Sequence, residues 1–280
     1  MSKQEERIEE ILEMLKEADR LLCIEDCQVV WMGQFLEASV AISLACHKDV
    51  TLRPINEEIR NVQQDVWNIC VLAYRLEWLR QKAISSDSMN FLWSLSSSID
   101  IEHFHVELRS ILDYVAIIVG NTASKKGQVR CKSFESLYEW INKDERNRAK
   151  LGDEAAKLVL SIPWYTEVRS TRDFMVHQGD HALVFGNAKD GIHFQVYGKR
   201  FKPRIETSYL MWNENVVDFR LYAGLYFARI LFFLERLGDF LKKNLAGRVS
   251  QQDVNARSKW MGQDTLKEWI GMLISRLNSV

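Results

Sequence analysis

The strongest constraint on the fold is a run of apolar residues spaced three and four positions apart between residues 54 and 84. Such spacing places the apolar side chains on one face of a helix with 3.6 residues per turn. Pro54 suits the first turn of this helix, where its missing N–H costs no hydrogen bond. The run therefore predicts a long helix of the kind found in bundles. Its buried face comprises Ile55, Ile59, Val62, Val66, Ile69, Ala73 and Leu76.

The same periodicity recurs along most of the chain and predicts a mainly α protein. The first helix places Ile8, Ile11, Leu12, Leu15 and Leu22 on one face. Ser97 and Asp100 have the spacing of a capping box, which predicts that a long apolar helix starts after them and ends at Gly120 and Asn121. Further helices are predicted over residues 26–47, 133–142, 153–161, 209–244 and 260–277.

One segment changes its period from 3.6 to two. Between residues 192 and 197, Ile192, Phe194 and Val196 alternate with polar or half-polar residues, and Asp190-Gly191 predicts a turn before them. This pattern predicts one small β-hairpin, over residues 182–201, in an otherwise helical protein.

Composition indicates an ordinary globular protein with a formal net charge of −1. A protein that coats nucleic acid carries a clear basic excess, so any contact with RNA must be local. The five cysteines form no CxxC pair, which favours reduced thiols in a cytoplasm. The charged start is no signal peptide, and Arg220 and Arg229 interrupt the most apolar window, so we expect a soluble cytoplasmic protein with no membrane partner.

The chain is long enough for one large domain, and it contains no convincing linker. We expect a helical domain over residues 54–245 that includes the hairpin. Residues 1–53 are expected to form a helical extension packed on the bundle, and residues 246–280 a C-terminal helical segment.

The segment RSTRDFMVHQG, residues 169–179, concentrates charge at a predicted helix end. On a helix, Arg169, Asp173 and His177 share one face, so the aspartate can pair with the arginine and orient the imidazole. Arg172 lies about 140° around the helix from His177. The two side chains converge either if the helix ends just before His177, as Gly179 suggests, or if two copies of the segment face each other across a dimer.

The sequence Arg172-Asp-Phe-Met-Val-His177 resembles the Arg-x4–6-His signature of the HEPN superfamily, in which the first intervening position is typically polar, as Asp173 is. The segment ELRSILDYVA, residues 107–116, resembles the companion helix that packs beside that signature. The resemblance covers about residues 54–245. It implies a helical bundle that is usually dimeric and, in many members, a metal-independent endoribonuclease found among toxins and abortive-infection proteins.

By position, the resemblance implies that Arg172 and His177 are the catalytic pair, with Asp173 as the polar partner. Histidine titrates near neutral pH and can exchange the proton that RNA cleavage moves. Arginine offers a planar fork to phosphate oxygens. Neither a metal nor another cofactor is expected. Four further residues are candidates for a supporting role around the motif: Arg169, Glu107, Arg109 and Asp113.

Two basic stretches are candidates for contacts with RNA. The first contains Lys125, Lys126, Arg130 and Lys132, and the second contains Lys199, Arg200, Lys202 and Arg204. Tyr197 and Phe201 flank the second and could stack on bases. If both stretches flank the motif in space, they form an RNA track; otherwise they are solvated loops.

Several alternatives remain open from the sequence. The charged helix face can be a structural network of salt bridges, and Glu107, Arg109 and Asp113 can serve the same purpose. His103 with Glu107, and His177 with His181, have the spacing of half a metal site but no evident third ligand.

The predicted function is therefore a HEPN-type endoribonuclease acting as a toxin or in antiviral defence. Its expected partners are RNA, a second copy of the chain, and a protein antitoxin or regulator. The alternative from another class is a non-catalytic HEPN-like module that binds a partner protein, a nucleotide or RNA.

Overall fold

The computed structural model describes residues 3–85, 90–123, 129, 132–177, 181–196, 208–213, 215–249 and 256–279. Helices dominate this part of the chain, as the periodicity predicts. They are α1 Lys3–Leu21, α2 Gln34–Ala45, α3 Arg53–Ser85, α4 Asn90–Ala123, α5 Phe134–Lys143, α6 Glu145–Leu151, α7 Asp153–Leu160, α8 Tyr165–His177, α9 Phe219–Asn244 and α10 Gln263–Asn278.

The two longest helices, α3 and α4, pack side by side along most of their length. Two contacts show that they run antiparallel. Arg75 on α3 binds Asp100 on α4, and Asn68, two turns before Arg75, donates a hydrogen bond to Glu107, two turns after Asp100 (3.1 Å). The predicted apolar face of α3 is buried throughout. Ser97 and Asp100 lie inside α4, so the predicted capping box is wrong. Both residues are buried, and Asp100 forms an ion pair with Arg75 on α3 instead of capping a helix.

Helix α9 lies at the centre of the fold and is buried on nearly all sides. Asp218 caps its N-terminus by accepting a hydrogen bond from the Arg220 N–H (3.0 Å). Helices α1, α2 and α10 pack around α9, and His105 links it to α4 through the Tyr222 hydroxyl (3.0 Å). One continuous apolar core therefore runs from the N-terminal helices through α9 to α10.

Two small antiparallel sheets accompany the helices. The first has the order β1 (Leu22–Glu25), β2 (Gln28–Met32) and β7 (Arg257–Ser258). The second has the order β3 (Ala182–Phe185), β4 (His193–Val196), β6 (Val216–Asp218) and β5 (Met211–Asn213). The predicted hairpin is present as β3 and β4, and two further strands extend it; the part of the predicted hairpin beyond residue 196 lies outside the described residues.

Two predicted helices begin later than expected. Residues 28–32 form β2, so the helix predicted over 26–47 is restricted to α2. Asp26 and Cys27 both have positive φ and make the tight turn that pairs β1 with β2. The helix predicted from residue 209 begins at Phe219, because β5 and β6 pair across a turn and β6 pairs with β4. Each strand depends on a partner strand that periodicity alone does not identify.

No helix in the described part of the chain combines the length and the apolar character needed to cross a membrane.

The close approach of α9 to the start of α2 requires a glycine at position 238. A Cβ there would lie 2.3 Å from the Phe35 backbone nitrogen and 2.4 Å from the Gln34 carbonyl carbon, so the helices would have to separate. We expect Gly238→Ala to lower the free energy of unfolding by about 2 kcal/mol or more.

Gly271 in α10 is the matched control, because nothing lies within 4 Å of a Cβ built there. Gly271→Ala should raise the free energy of unfolding by about 0.5–1 kcal/mol through better helix propensity. Urea denaturation followed by circular dichroism measures both values, and a neutral Gly238→Ala variant would contradict the close packing.

Candidate functional site

The core face of α8 fixes which residues of the motif point outward. Val168, Thr171 and Met175 are buried on one side of this helix, and Trp164 is buried just before it. The spacing of these four residues, three or four positions apart, predicts such a shared core face. With these side chains in the core, Arg169, Arg172 and Asp173 lie on the partly exposed side, toward α4 and α5.

Asp173 lies between the two arginines of the motif. Its Oδ1 is 3.2 Å from Nη1 of Arg172, and its Oδ2 is 3.5 Å from Nε of Arg169. The predicted pairing of Arg169 with Asp173 is thus present. The side chains of Arg172 and Asp173 are 26% and 37% exposed, so this pair is open to a ligand from solvent.

Glu135 on α5 joins the motif to α4. Its carboxylate binds the Arg169 guanidinium, and it lies 3.7 Å from Nη2 of Arg109. Arg109 also lies 3.5 Å from Asp113. We call these six residues the charged network: Arg109, Asp113, Glu135, Arg169, Arg172 and Asp173.

Arg109 is the most buried guanidinium of the charged network, with a side chain 12% exposed. It donates a hydrogen bond from Nη1 to the Tyr165 hydroxyl (2.9 Å), and its guanidinium carbon lies 5.2 Å from the Tyr165 ring centroid. Burial raises the pKa of Tyr165, although the hydrogen bond from Arg109 opposes this shift. Arg109 therefore ties α4 to the first turn of α8.

Asp113 links α4 to the start of α5 by accepting a hydrogen bond from the Phe134 N–H (2.8 Å). Burial raises the pKa of Asp113, while the Phe134 N–H and the positive charges of Arg109 and Arg172 act in the opposite direction. Asp113 is therefore close enough to Arg172 to feel its positive charge, so this candidate supporting residue lies near the motif.

His177 is the last residue of α8, so the helix does not end before it. On a regular helix, positions 172 and 177 differ by about 140°. An end of the helix before His177 was one of two ways for the two side chains to converge, and the observed extent of α8 does not provide it. The side chain of His177 lies outside the described part of the structure.

Glu107 does not join the charged network through any contact among the described residues. It lies toward α3, where it accepts a hydrogen bond from Asn68 (3.1 Å) and lies 3.5 Å from Nε2 of His103. Asp65 shares a hydrogen bond with Glu107, and both residues are more than nine-tenths buried. The expectation that Glu107 braces the motif therefore finds no contact to support it.

The basic residues predicted to contact RNA are not placed relative to the motif. Lys199, Arg200, Lys202 and Arg204 all lie outside the described residues, as do Lys125, Lys126 and Arg130. Lys132 is described and exposed, two residues before α5.

The two pairs considered as half a metal site differ in their contacts. His103 lies 3.5 Å from Glu107, so this pair is in contact, whereas His181 lies 3.2 Å from Glu102 on α4. Within the described ranges, no three His, Cys, Asp or Glu side chains are grouped closely enough to hold a metal ion.

Sequence reasoning missed Glu135, Tyr165 and Asp65. Glu135 follows the Ser133 cap in the first turn of α5, which is a common place for a glutamate. Its contact with Arg169 joins residues 34 positions apart, and no local pattern indicates such a contact. The sequence could have indicated Asp65, because this charged residue is adjacent to Val66 on the predicted buried face of α3.

Comparison of the chain with models of protein families, with curated proteins and with solved structures finds no match. The HEPN resemblance therefore depends on the residues of the motif and its companion helix.

The buried pair of carboxyl groups makes a testable prediction about pH. Burial and the neighbouring charge of Glu107 raise the pKa of Asp65 from 3.8 to about 8. Between these values the folded protein holds a proton that the unfolded chain releases, so stability falls as pH rises from about 4 through about 8. Asp65→Asn cannot titrate and can still donate to Glu107. We therefore expect it to be more stable than the parent at pH 9 and to lose less stability between pH 5 and pH 9.

Urea unfolding midpoints at pH 5, 7 and 9 measure this effect. Glu9→Gln, at an exposed position of α1, is the control and should follow the parent protein. An Asp65→Asn variant with the same pH dependence as the parent would show that Asp65 is already ionised at pH 5.

Proposed function

We propose that this chain is a HEPN-type endoribonuclease that cleaves RNA without a metal, with Arg172 and His177 as its catalytic pair. In this proposal, Arg172 binds the scissile phosphate and stabilises the negative charge that develops in the transition state. His177 transfers a proton to or from the reacting oxygens. The biological role that fits this activity is a toxin or a phage-defence protein, controlled by a protein antitoxin or regulator.

The observation that carries the proposal is the setting of Arg172. One nitrogen of its guanidinium lies beside Asp173, and a quarter of the side chain remains exposed. The buried face of α8 prevents the helix from rotating, and Asp173 holds the guanidinium from one side. An arginine that is oriented in advance loses less conformational entropy when it binds a phosphate.

The geometry of α8 favours a homodimer for this activity. Positions 172 and 177 diverge on a continuous helix, so a single copy of α8 does not direct both residues at one phosphate by helix geometry. A second copy with its α8 antiparallel to the first would place His177 of one chain near Arg172 of the other. The proposal therefore includes a dimer in which the two motifs face each other.

The surroundings of Arg172 limit how RNA can bind. The charged network contains three guanidiniums and three carboxylates, and Glu139 adds a carboxylate 3.9 Å from Arg169. A balanced network attracts a polyanion only weakly. Additional positive charge is therefore required, and the stretch containing Lys199, Arg200, Lys202 and Arg204 is the proposed source.

His177→Ala is the test of the catalytic role. We expect this substitution to reduce cleavage of single-stranded RNA by about 100-fold or more, because general acid–base catalysis contributes at least this much. Cleavage is followed on labelled RNA with EDTA present, and circular dichroism and sedimentation check that fold and oligomeric state are unchanged.

His47→Ala is the matched control, since His47 is exposed just after α2 and is not one of the motif residues. It should cleave like the parent chain. A His177→Ala variant that cleaves RNA as well as the parent would contradict the assignment. Growth arrest on expression, relieved by His177→Ala but not by His47→Ala, would support the role as a toxin.

A second function is favoured by the internal pairing of the charged network. Arg109 on α4 and Arg169 on α8 both bind Glu135 on α5, as expected for a structural network that joins the three helices. The alternative proposal is a non-catalytic HEPN-like module that binds a partner protein, a nucleotide or RNA. RNA binding without cleavage, equal in the parent and in His177→Ala, would select this alternative.

A further inference from the structure

A cavity of about 690 Å³ lies away from the charged network, between α1, α9 and the segment that joins α7 to α8. Its α1 wall includes Ile11 and Met14, its α9 wall includes Phe232 and Phe233, and Trp164 closes it beside α8. This volume falls within the range of about 300–1,000 Å³ that small-molecule sites occupy.

The floor of the cavity is apolar and largely aromatic. Ile11, Ile162, Trp164 and Phe233 are buried, and Phe232 is half-buried at the edge of the floor. Such a surface favours a flat apolar body, which gains free energy when it leaves water and stacks on the rings. The floor therefore fits an aromatic group better than a sugar or a free ion.

Arg229 gives the floor a positive charge. The residue is only 9% exposed, and its guanidinium carbon lies 5.9 Å from the Trp164 ring centroid and 5.1 Å from the Tyr226 ring centroid. The two rings hold the guanidinium in the wall of the cavity. A fixed positive charge in a poorly hydrated wall attracts an anionic group more strongly than the same charge in water does.

Arg236 provides a second positive charge, two turns after Arg229 on the same face of α9. It is exposed and makes no hydrogen bond or ion pair to any other residue that the structure describes. It also lines a neighbouring concavity of about 560 Å³, whose other charged residues are Lys157, Lys243, Asp153, Glu154 and Asp239. Arg236 therefore lies at the mouth of the cavity with its guanidinium available to an anion.

The rim limits the charge of the ligand. Glu10 and Glu13 line the cavity and are exposed, as is Arg7 on the same helix, whereas Glu17 binds Arg20 through two hydrogen bonds (2.6 and 2.9 Å). Carboxylates at the entrance repel a polyanion such as RNA or a nucleoside triphosphate. A ligand with a single negative charge suffers much less repulsion.

We propose that this cavity binds a small organic monoanion with an aromatic body, such as an aromatic carboxylate or sulfonate. The rings of Trp164 and Phe232 hold the aromatic body, and Arg236 binds the anionic group beside the charge of Arg229. This site is independent of the proposed ribonuclease activity, and its test involves no RNA.

The test uses two probes with the same ring system on the full chain. Naphthalene-1-sulfonate carries the single negative charge, and 1-naphthalenemethanol is its neutral counterpart. We expect isothermal titration calorimetry to show saturable binding of the sulfonate with one site per chain. The neutral probe should bind at least about tenfold more weakly, because it lacks the charge-assisted hydrogen bonds.

Two substitutions separate the roles of charge and ring. Arg236→Gln should weaken binding of the sulfonate about tenfold or more and leave the neutral probe unchanged. Phe232→Ala should weaken both probes by a similar factor. Arg60→Gln is the matched control, because Arg60 is exposed on α3 and lines neither cavity, and it should bind both probes like the parent.

Three results would each overturn the proposal. These are the absence of saturable sulfonate binding, equal sulfonate affinity in Arg236→Gln and Arg60→Gln, and an unchanged affinity for both probes in Phe232→Ala. Circular dichroism of each variant checks that the substitution leaves the fold intact.

Discussion

The burial of α9 is the constraint on which the rest of the structure depends. Its side chains are buried on nearly every side, so each neighbouring helix must present an apolar face to it. At Gly238 the backbone of α2 occupies the space that a side chain would take. Arg229 and Arg236 of the same helix line the cavity. Its Tyr222 hydroxyl forms a hydrogen bond with His105 of α4. The positions of α4 and α1, and through α4 that of the charged network, follow from this packing.

The candidate site and the cavity use arginine in different ways. In the charged network, guanidiniums and carboxylates from α4, α5 and α8 nearly balance, and the charge mainly holds the three helices together. In the cavity, Arg229 lies on aromatic rings and Arg236 faces solvent. An arginine already surrounded by carboxylates has less attraction left for an anion. For this reason Arg172 needs further positive charge nearby to bind RNA, whereas Arg236 already has the charge of Arg229 beside it and has only a monoanion to bind.

Periodicity predicted the helices well where one face alone is buried. The face of α3, the core face of α8, and helices α5 and α7 have the predicted positions. Periodicity gave the wrong helix bounds where an apolar segment is buried as a β-strand. Residues 28–32 form a strand because they pair with β1 and with residues 257–258, and the start of α9 is displaced by a strand that pairs with β4. Periodicity reports local burial and carries no information about a distant partner.

By itself, the sequence determined the helical class, the orientation of α8 and the pairing of Arg169 with Asp173, because each depends on residues within two or three turns of one helix. Only the tertiary structure decided that Glu135 binds Arg169, that Glu107 faces Asp65 and not the motif, and that α1 and α9 enclose a cavity. These contacts join residues from separate helices. Their positions are set by how helices of similar periodicity pack together, which local spacing leaves open.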